Sequence, residues 1–369
     1  MFGYPVRVVL RLVLKILTYL IYGVTLLTAY GGYMNPTLFT LPSMGVIFFP
    51  YLALLSLITA IIWLIRRQFI TGCIGIGILM ACGPTFTDAV PFKFQKTASN
   101  PNKTFKMATF NCLHLKDIKK SKSGVKKGYN RSLHFLIHCG ADFVCLQELY
   151  DFKRNNVSEK YKKQVDSLFK IYPYISTDAN KEIEFISKYP FKTLPIKLPG
   201  DIKYGSVGAY ELEIDNNPIT VINVHLSSYM LSELERNIIT EAHNKKGVKR
   251  SIRKLEGSVY RKMKKAFISR ARVSAAIAEY AEKQKGNVIV CGDFNDVPGS
   301  WSYRNFTKRG FQDAYAQTGF GHLITYNQHL MLFHIDQILF KGDLMPLYVK
   351  KERMDASDHY PLVAEFEFI

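Results

Sequence analysis

Acidic residues are nearly missing from the first quarter of this 369-residue chain: residues 1–100 carry one acid, Asp88, against seven basic side chains. From Ile16 to Ile65 there is no charged residue at all, which excludes an ordinary solvated surface for that stretch. The six cysteines form no C-x-x-C pair and no zinc-like spacing, so neither a disulfide nor a structural zinc site is expected. Cys112, Cys145 and Cys291 sit in strand-like runs, where a free cysteine acts as a small hydrophobe. No Walker motif and no G-x-S-x-G motif occurs, and the DFND run lacks the glycine and closing glutamate of an EF-hand loop. Those absences set aside P-loop, serine-hydrolase and EF-hand chemistry.

What is present begins with long apolar runs. Two membrane spans fit, at about 9–30 and at 46–65, separated by the turn compositions GGYMNPT and LPSMG. Arg66 and Arg67 follow, and QFITGCIGIGILMACGPTF (68–86) makes a third. Each is near the roughly 20 residues that a helix needs to cross the hydrocarbon core. The glycines of the third suit close helix packing better than a phosphate loop, because no strand precedes them. Residues 1–90 therefore read as a membrane anchor of two or three helices, and 91–104 as a linker. Arg7, Arg11 and Lys15 precede the first span, and the Arg66–Arg67 pair follows the second, whereas 31–45 has no basic residue. The positive-inside rule puts the N-terminus and the arginine pair in the cytoplasm. Three spans would then place the rest of the chain on the outer, periplasmic or extracytoplasmic, face, and two would place it in the cytoplasm. The unpaired cysteines lean towards the cytoplasmic alternative.

Residues 101–369 carry 42 basic and 29 acidic residues, a balance that favours polyanionic partners. Strand-like runs alternate with helical ones: FKMATFNCL, ADFVCLQEL, EIEFISKYPF, GAYELEI, PITVINVHL, NVIVCGDF, HIDQILF and PLVAEFEFI. Several strands in direct succession suggest two layered sheets with helices outside. A basic insert at 229–286 holds fifteen Lys/Arg and six Glu, and its second half can form a helix with Leu255, Val259, Met263, Phe267 and Val273 on one side. It reads as a helix docked on the domain or as a surface for phosphates or headgroups. A second basic run, 116–131, reads as a mobile loop that could also help bind an anion.

Polar residues recur at the ends of these strands. Asn111 ends ATFN, Glu148 follows FVCLQ, and His225 lies in INVHL. Asp293 and Asn295 close VIVCGDFN, Asp336 lies in FHIDQILF, and Asp358 and His359 in SDHYP. Any one of these alone is a turn or a satisfied core residue. Six repetitions in 250 residues of strand followed by carboxylate, amide or imidazole point to a site built where loops leave a rigid scaffold.

The order N…QE…NVHL…GDFN…D…SDHYP resembles the endonuclease/exonuclease/phosphatase superfamily, whose fold is that of deoxyribonuclease I, over roughly 105–369. The resemblance implies a four-layer α/β sandwich, two packed mixed β-sheets flanked by helices, here preceded by the transmembrane region. It implies a phosphodiester hydrolase using Mg²⁺, with Mn²⁺ as a substitute, in which water attacks a phosphate. Glu148 with Asn111 would form the main metal site, joined by Asp358. Asp293 would orient or deprotonate the water, and Asn295 would donate to a phosphate oxygen. His359, held by Asp336, would contact the phosphate, and His225 would stabilise the transition state or protonate the leaving group.

The substrate stays open between a nucleic acid, which suits the basic surface, and a phospholipid or sphingolipid headgroup, which suits a tether at the bilayer. The nuclease-like reading is the main one. A phosphomonoester substrate and a non-catalytic membrane scaffold rank below both. Tyr229, Arg236 and Trp301 are available to a nucleic-acid groove without being diagnostic. The expected partners are the bilayer, through the N-terminal helices, and the polyanionic substrate; no protein partner is predicted.

Overall fold

The computed structural model describes residues 4–116, 129–149, 160–176, 182–198, 205–229, 249–328 and 332–369. Residues 117–128 of the basic run, and residues 230–248 of the basic insert with Arg236, lie outside the described residues.

The apolar quarter folds as α1 (Tyr4–Tyr30), a short α2 (Thr40–Gly45), α3 (Phe49–Ile65), α4 (Phe69–Ala81) and α5 (Gly83–Ala89). Two stretches, Val6–Tyr33 and Thr40–Ile65, are helices long and apolar enough to cross a membrane, and α4 with α5 forms a pair bent by 67°. The predicted third span is thus broken, at Cys82–Gly83, just ahead of Pro84. Pro84 falls in the first turn of α5, where its missing N–H costs nothing. The helices pack through small and hydroxylated residues. The Thr25 hydroxyl meets that of Ser56 at 2.7 Å, and the Trp63 indole donates to Thr18 Oγ1. Tyr30 donates to the carbonyl of Ala81, so α4 ends beside the end of α1. The chain leaves the bundle there, away from the Arg66–Arg67 turn.

Among the described residues, twelve strands make two six-stranded sheets. The first has the order β11-β12-β1-β2-β4-β3 and the second β5-β6-β7-β8-β10-β9. In the first, β1 (Thr104–Asn111) runs parallel to β2 (Phe143–Gln147). They are flanked by β3 (Tyr174–Ile175) and β4 (Ile183–Ser187) on one side and by β11 (Leu344–Lys351) and β12 (Leu362–Phe368) on the other. In the second, β7 (Asn217–Leu226) runs parallel to β8 (Asn287–Asp293). Around them stand β5 (Phe191–Leu194), β6 (Gly205–Ile214), β9 (Gln312–Asp313) and β10 (Asp336–Lys341). All other pairings are antiparallel.

Side chains alternate along a strand, so each buried strand has one row facing the other sheet. Phe105 and Met107 of β1, Phe143 and Cys145 of β2, Ile219 and Val221 of β7, Ile289 and Cys291 of β8, and Ile338 and Phe340 of β10 make that shared core. Each such side chain contributes about 1.5–3 kcal/mol by leaving water. The alternate rows face the helix layers, with Ala108 and Phe110 on the first sheet and Ile222, Val224 and Val290 on the second. Those layers are α6 (Arg131–His138) and α7 (Lys162–Ile171) on the first sheet. On the second they are α8 (Lys249–Glu282) and α9 (Trp301–Thr307), and the short α10 (Ala314–Thr318) packs at the sheet's edge. Of the expected apolar face of α8, Phe267 and Val273 are buried and Met263 packs beside Phe267, while Leu255's side chain lies outside the described residues.

Three details depart from the expected strands. EIEFISKYPF is two strands, because Pro190 interrupts it and sends β4 and β5 to different sheets. β11, with Pro346 in its sequence, is an edge strand with an irregular register at Pro346/Tyr348; an edge tolerates a residue that lacks an N–H. Finally, β3 and β9 are two residues each and leave no periodic trace.

The sandwich rests on the helix bundle. Met44, Val46 and Ile47 pack against Phe267, Val297 and Ile335. Arg304 binds Asp88 at 2.7 Å with its guanidinium over the Tyr33 ring. Gly32 lies so close to Gly299 that a Cβ there would stand 1.7 Å from its carbonyl oxygen.

Candidate active site

The inward rows of the sandwich change character at one edge. In β1 the row Phe105, Met107, Thr109 ends at Asn111, and in β7 the row Ile219, Val221, Asn223 ends at His225. In β8, Ile289 and Cys291 lead to Asp293, which pairs in register with His225 on one side and with Asp336, the first residue of β10, on the other. Because β1/β2 and β7/β8 are the parallel pairs, their carboxyl ends share this edge, and the antiparallel β10 and β12 bring their starts to it. All eight residues singled out from the sequence therefore meet here.

Asp293 lies at the centre. Its side chain is 1% exposed and accepts from the Asn295 backbone N–H at 2.8 Å, from Asn295 Nδ2 at 3.1 Å and from Asn111 Nδ2 at 3.0 Å. Gly292 makes this possible. Its φ is +135°, and a Cβ would stand 2.0 Å from the Val224 carbonyl, so only glycine lets β8 approach β7 this closely. Burial pushes the Asp293 carboxyl above the usual carboxylate range, opposed by His359.

His359 is buried, with Nδ1 2.9 Å from Asp336 Oδ2 and Nε2 3.7 Å from Asp293 Oδ2. Burial acts to lower its pKa, but Asp336 and Asp293 outweigh that and raise it to about 10. The Tyr326 ring packs edge-on against the imidazole, with centroids 5.1 Å apart. His225 Nε2 lies 3.7 Å from Asp293 Oδ2 and 3.8 Å from Glu148 Oε1, and this nitrogen is buried with no hydrogen-bond partner among the described residues.

Glu148 is the open carboxylate, with its side chain 25% exposed. It lies one residue past β2, so simple alternation would aim it at the helix layer. Its φ of +52° breaks the alternation, and its Oε1 accepts from Asn111 Nδ2 at 3.0 Å. Leu113, His114 and Leu115 also have positive φ, and His114 N–H donates to the Glu148 carbonyl at 2.8 Å. Left-handed backbone at several non-glycine residues costs free energy and collects at functional sites. Asp358 is half-buried; burial raises its pKa, His359 opposes the rise, and Glu148 and Asp293 add to it.

Among the described residues, Glu148, Asp293, Asp336, Asp358 and Glu182 thus share the edge with two imidazoles, an excess of negative charge that suits a cation. Glu148, Asp358 and the Asn111 amide oxygen are hard oxygen donors, the set that Mg²⁺ or Mn²⁺ prefers. Asp293, Asp336 and His359 also bring three ligating atoms within 4.8 Å of one another. Asp336 and His359 already bond to each other, and Asp293 to the two asparagines, so the open Glu148 side is the better seat for a metal.

Asn295 departs from its expected part. Its Nδ2 donates to Asp293 Oδ2 and to the Leu226 carbonyl, at 3.1 and 2.9 Å, so the amide positions Asp293.

Several neighbours are not among the residues singled out from the sequence. Gln147 and Asn223, both fully buried, join the sheets beneath the site through a 2.7 Å hydrogen bond. Asn223 sits two residues before His225 on the same face, a periodicity that would have found it. Ser357 Oγ donates to the Asn111 carbonyl. Glu182, 3.8 Å from His225 Nδ1, and Tyr326 come from segments with no motif.

The endonuclease/exonuclease/phosphatase family model matches residues 108–359, and a model described as a domain of unknown function matches 10–87. No curated protein sequence matches the chain. Among solved structures, the chain is similar to an endonuclease/exonuclease/phosphatase from Bacteroides vulgatus, at 15% identity and a TM-score of 0.47 over 72% of this chain and 99% of that one. Truncated TDP2 from Caenorhabditis elegans gives 17% and 0.43 over 72% and 98%, and a beta toxin from Staphylococcus aureus gives 18% and 0.40 over 70% and 99%. At these values the likeness says nothing of substrate.

Proposed function

The chain belongs to the endonuclease/exonuclease/phosphatase family, hydrolases of phosphoester bonds that usually use divalent metals, and on that premise we propose that it is a membrane-anchored, Mg²⁺-dependent phosphodiester hydrolase. The observation that carries this reading is the convergence on buried Asp293 of two imidazoles, with the Asp336–His359 pair on one side and the open Glu148 on the other.

Glu148, Asp358 and Asn111 would hold Mg²⁺, or Mn²⁺ in its place. When bound, the ion neutralises charge on the phosphate and eases departure of the leaving oxygen. Asp293 orients the attacking water and takes its proton, and Asn295 holds that carboxylate in place. His359, fixed by Asp336, donates to a phosphate oxygen. His225 stabilises the departing oxygen from between Glu148 and Asp293.

Residues 1–90 form the anchor, 91–104 the linker and 105–369 the catalytic domain. The domain joins the bundle at the end opposite the Arg66–Arg67 turn, which supports three crossings and an outer-face domain by the positive-inside rule.

The test is turnover of bis(p-nitrophenyl) phosphate by the purified full-length protein. Activity should need Mg²⁺, vanish with EDTA and be lost in Glu148→Gln at limiting Mg²⁺. Turnover indifferent to both would refute the reading.

A further inference from the structure

We infer that the catalytic edge of the sandwich lies on a lipid leaflet and that the site takes its phosphodiester from a membrane lipid, an inference that rests on the phosphodiester-hydrolase reading above. Four observations converge on it.

The edge that carries the site is the edge that rests on the apolar helices. Val297 and Ile335, which flank Asn295 and Asp336 in sequence, pack on Met44, Val46 and Ile47. The Tyr51 hydroxyl, in the first turn of α3, donates to the carbonyl of Leu332, four residues before Asp336. Loops next to the reacting groups therefore sit level with the first turn of a helix long and apolar enough to cross a membrane. A single ring links that contact to the chemistry, since Tyr326 packs on the same apolar cluster and against His359. The opposite edge of the sandwich is a strand length away, about 26 Å for eight residues.

A ledge of exposed aromatic side chains continues the helix surface onto the sandwich. Phe92, Phe94 and Phe320 are 58%, 79% and 64% exposed. Phe320 contacts both of the others, at 5.3 and 5.9 Å, and Phe92 stacks on Phe86 of α5 at 6.1 Å. Exposed aromatic clusters of this kind mark interaction surfaces, and aromatic rings favour the bilayer interface. Beside the ledge opens a groove of about 580 Å³ that adds Lys93 and Lys351 to Phe94 and Phe320, apolar wall and ammonium groups together.

The basic helix points the same way. Helix α8 packs on the second sheet through Val273 and Ile277 and on the anchor through Phe267. Its residues before Met263 extend past that contact by fourteen positions, about 21 Å of helix. Tyr260, Arg261, Lys264 and Lys265 are exposed near this junction, and such a helix suits anionic headgroups. The aromatic residues that a nucleic-acid groove would want are engaged elsewhere. Tyr229 is covered by the Arg270 guanidinium at 4.7 Å, and Trp301 by Lys308 at 4.4 Å.

The test uses the full-length protein, reconstituted with Mg²⁺ into vesicles of phosphatidylcholine with a minority of phosphatidylglycerol. Release of water-soluble phosphate ester from the lipid, nicking of added plasmid DNA and hydrolysis of bis(p-nitrophenyl) phosphate are followed side by side. The expected result is lipid turnover with the plasmid intact. Phe94→Glu with Phe320→Glu should lower lipid turnover about tenfold and leave the soluble ester's rate unchanged, which also reports an intact fold. Cleavage of plasmid and soluble ester without lipid turnover would overturn this inference and leave the hydrolase reading standing. Silence towards all three would remove both, and a double variant that slows both rates equally would make the ledge a structural element and overturn the leaflet contact.

Discussion

Each sheet has one parallel strand pair near its middle, and the two pairs deliver different chemistry to the same edge. β1 and β2 of the first sheet end in Asn111 and Glu148, with Asp358 beside them. β7 and β8 of the second end in His225 and Asp293, with Asn295 and Asp336 adjacent. The Glu148 side chain is 25% exposed, whereas that of Asp293 is 1% exposed and takes three N–H donors. A carboxylate that keeps access to water can hold a hydrated cation. One enclosed between imidazoles and amides is suited to orienting water and moving a proton. The same topological device has thus made two halves of a site, and solvent access separates them.

That contrast can be broken most sharply at Asp293. Asp293→Asn should cut kcat by about 10⁴-fold, the upper range for a group in acid–base catalysis, with no recovery at high Mg²⁺ in a steady-state assay. Next comes the seat of the second sheet's side on the apolar helices. Arg304→Met leaves Asp88 without its partner in a largely buried ion pair, a loss of about 3–5 kcal/mol. Hydrogen exchange should then quicken in 294–307 before 107–111 of β1.

At Glu148 the expected effect is smaller and of another kind. Glu148→Gln should raise the Mg²⁺ needed for half-maximal activity by at least about tenfold, with activity partly restored at high metal. If Asp293→Asn were restored in the same titration, the division between the halves would fail.

The mildest contrast is one of pH. His334, two residues before Asp336, is held neutral chiefly by burial, its pKa pulled from 6.5 to about 3. The folded chain refuses a proton that the unfolded chain accepts below pH 6.5, so stability falls as the pH drops through that value. At pH 5 the loss is about 2 kcal/mol, and it stops growing near pH 3. Asp313, whose carboxyl is pushed by burial up to about 7, gives the wild type an opposing slope over the same range. The check is therefore the difference in melting curves between wild type and His334→Gln, which should shift in the variant's favour by this amount from pH 7 to pH 5.

Much of this was legible from residues. The uncharged run 16–65 and the turn at 31–45 give helices that double back, because a helix satisfies its own backbone within so apolar a segment. The rows ending at Asn111, His225, Asp293 and Asp336 follow from a period of two. Other features leave no local trace. Pro190 divides one apolar run between two sheets, and two-residue strands have no period. Glu182 and Tyr326 reach the imidazoles only through long-range packing.

The sequence by itself determined which side chains face inward and that the inward rows turn polar at one end, since alternation is a local property of an extended backbone. Only the tertiary structure decided that Glu148, on the wrong parity, is turned into the site by a left-handed backbone, and that Asn295 serves Asp293 first. It alone decided that the edge carrying the candidate site stands on the helices. Those outcomes depend on contacts between residues far apart in the chain, such as Gly32 with Gly299 and Asp88 with Arg304, where the gain comes from burying both partners together and neither segment shows it alone.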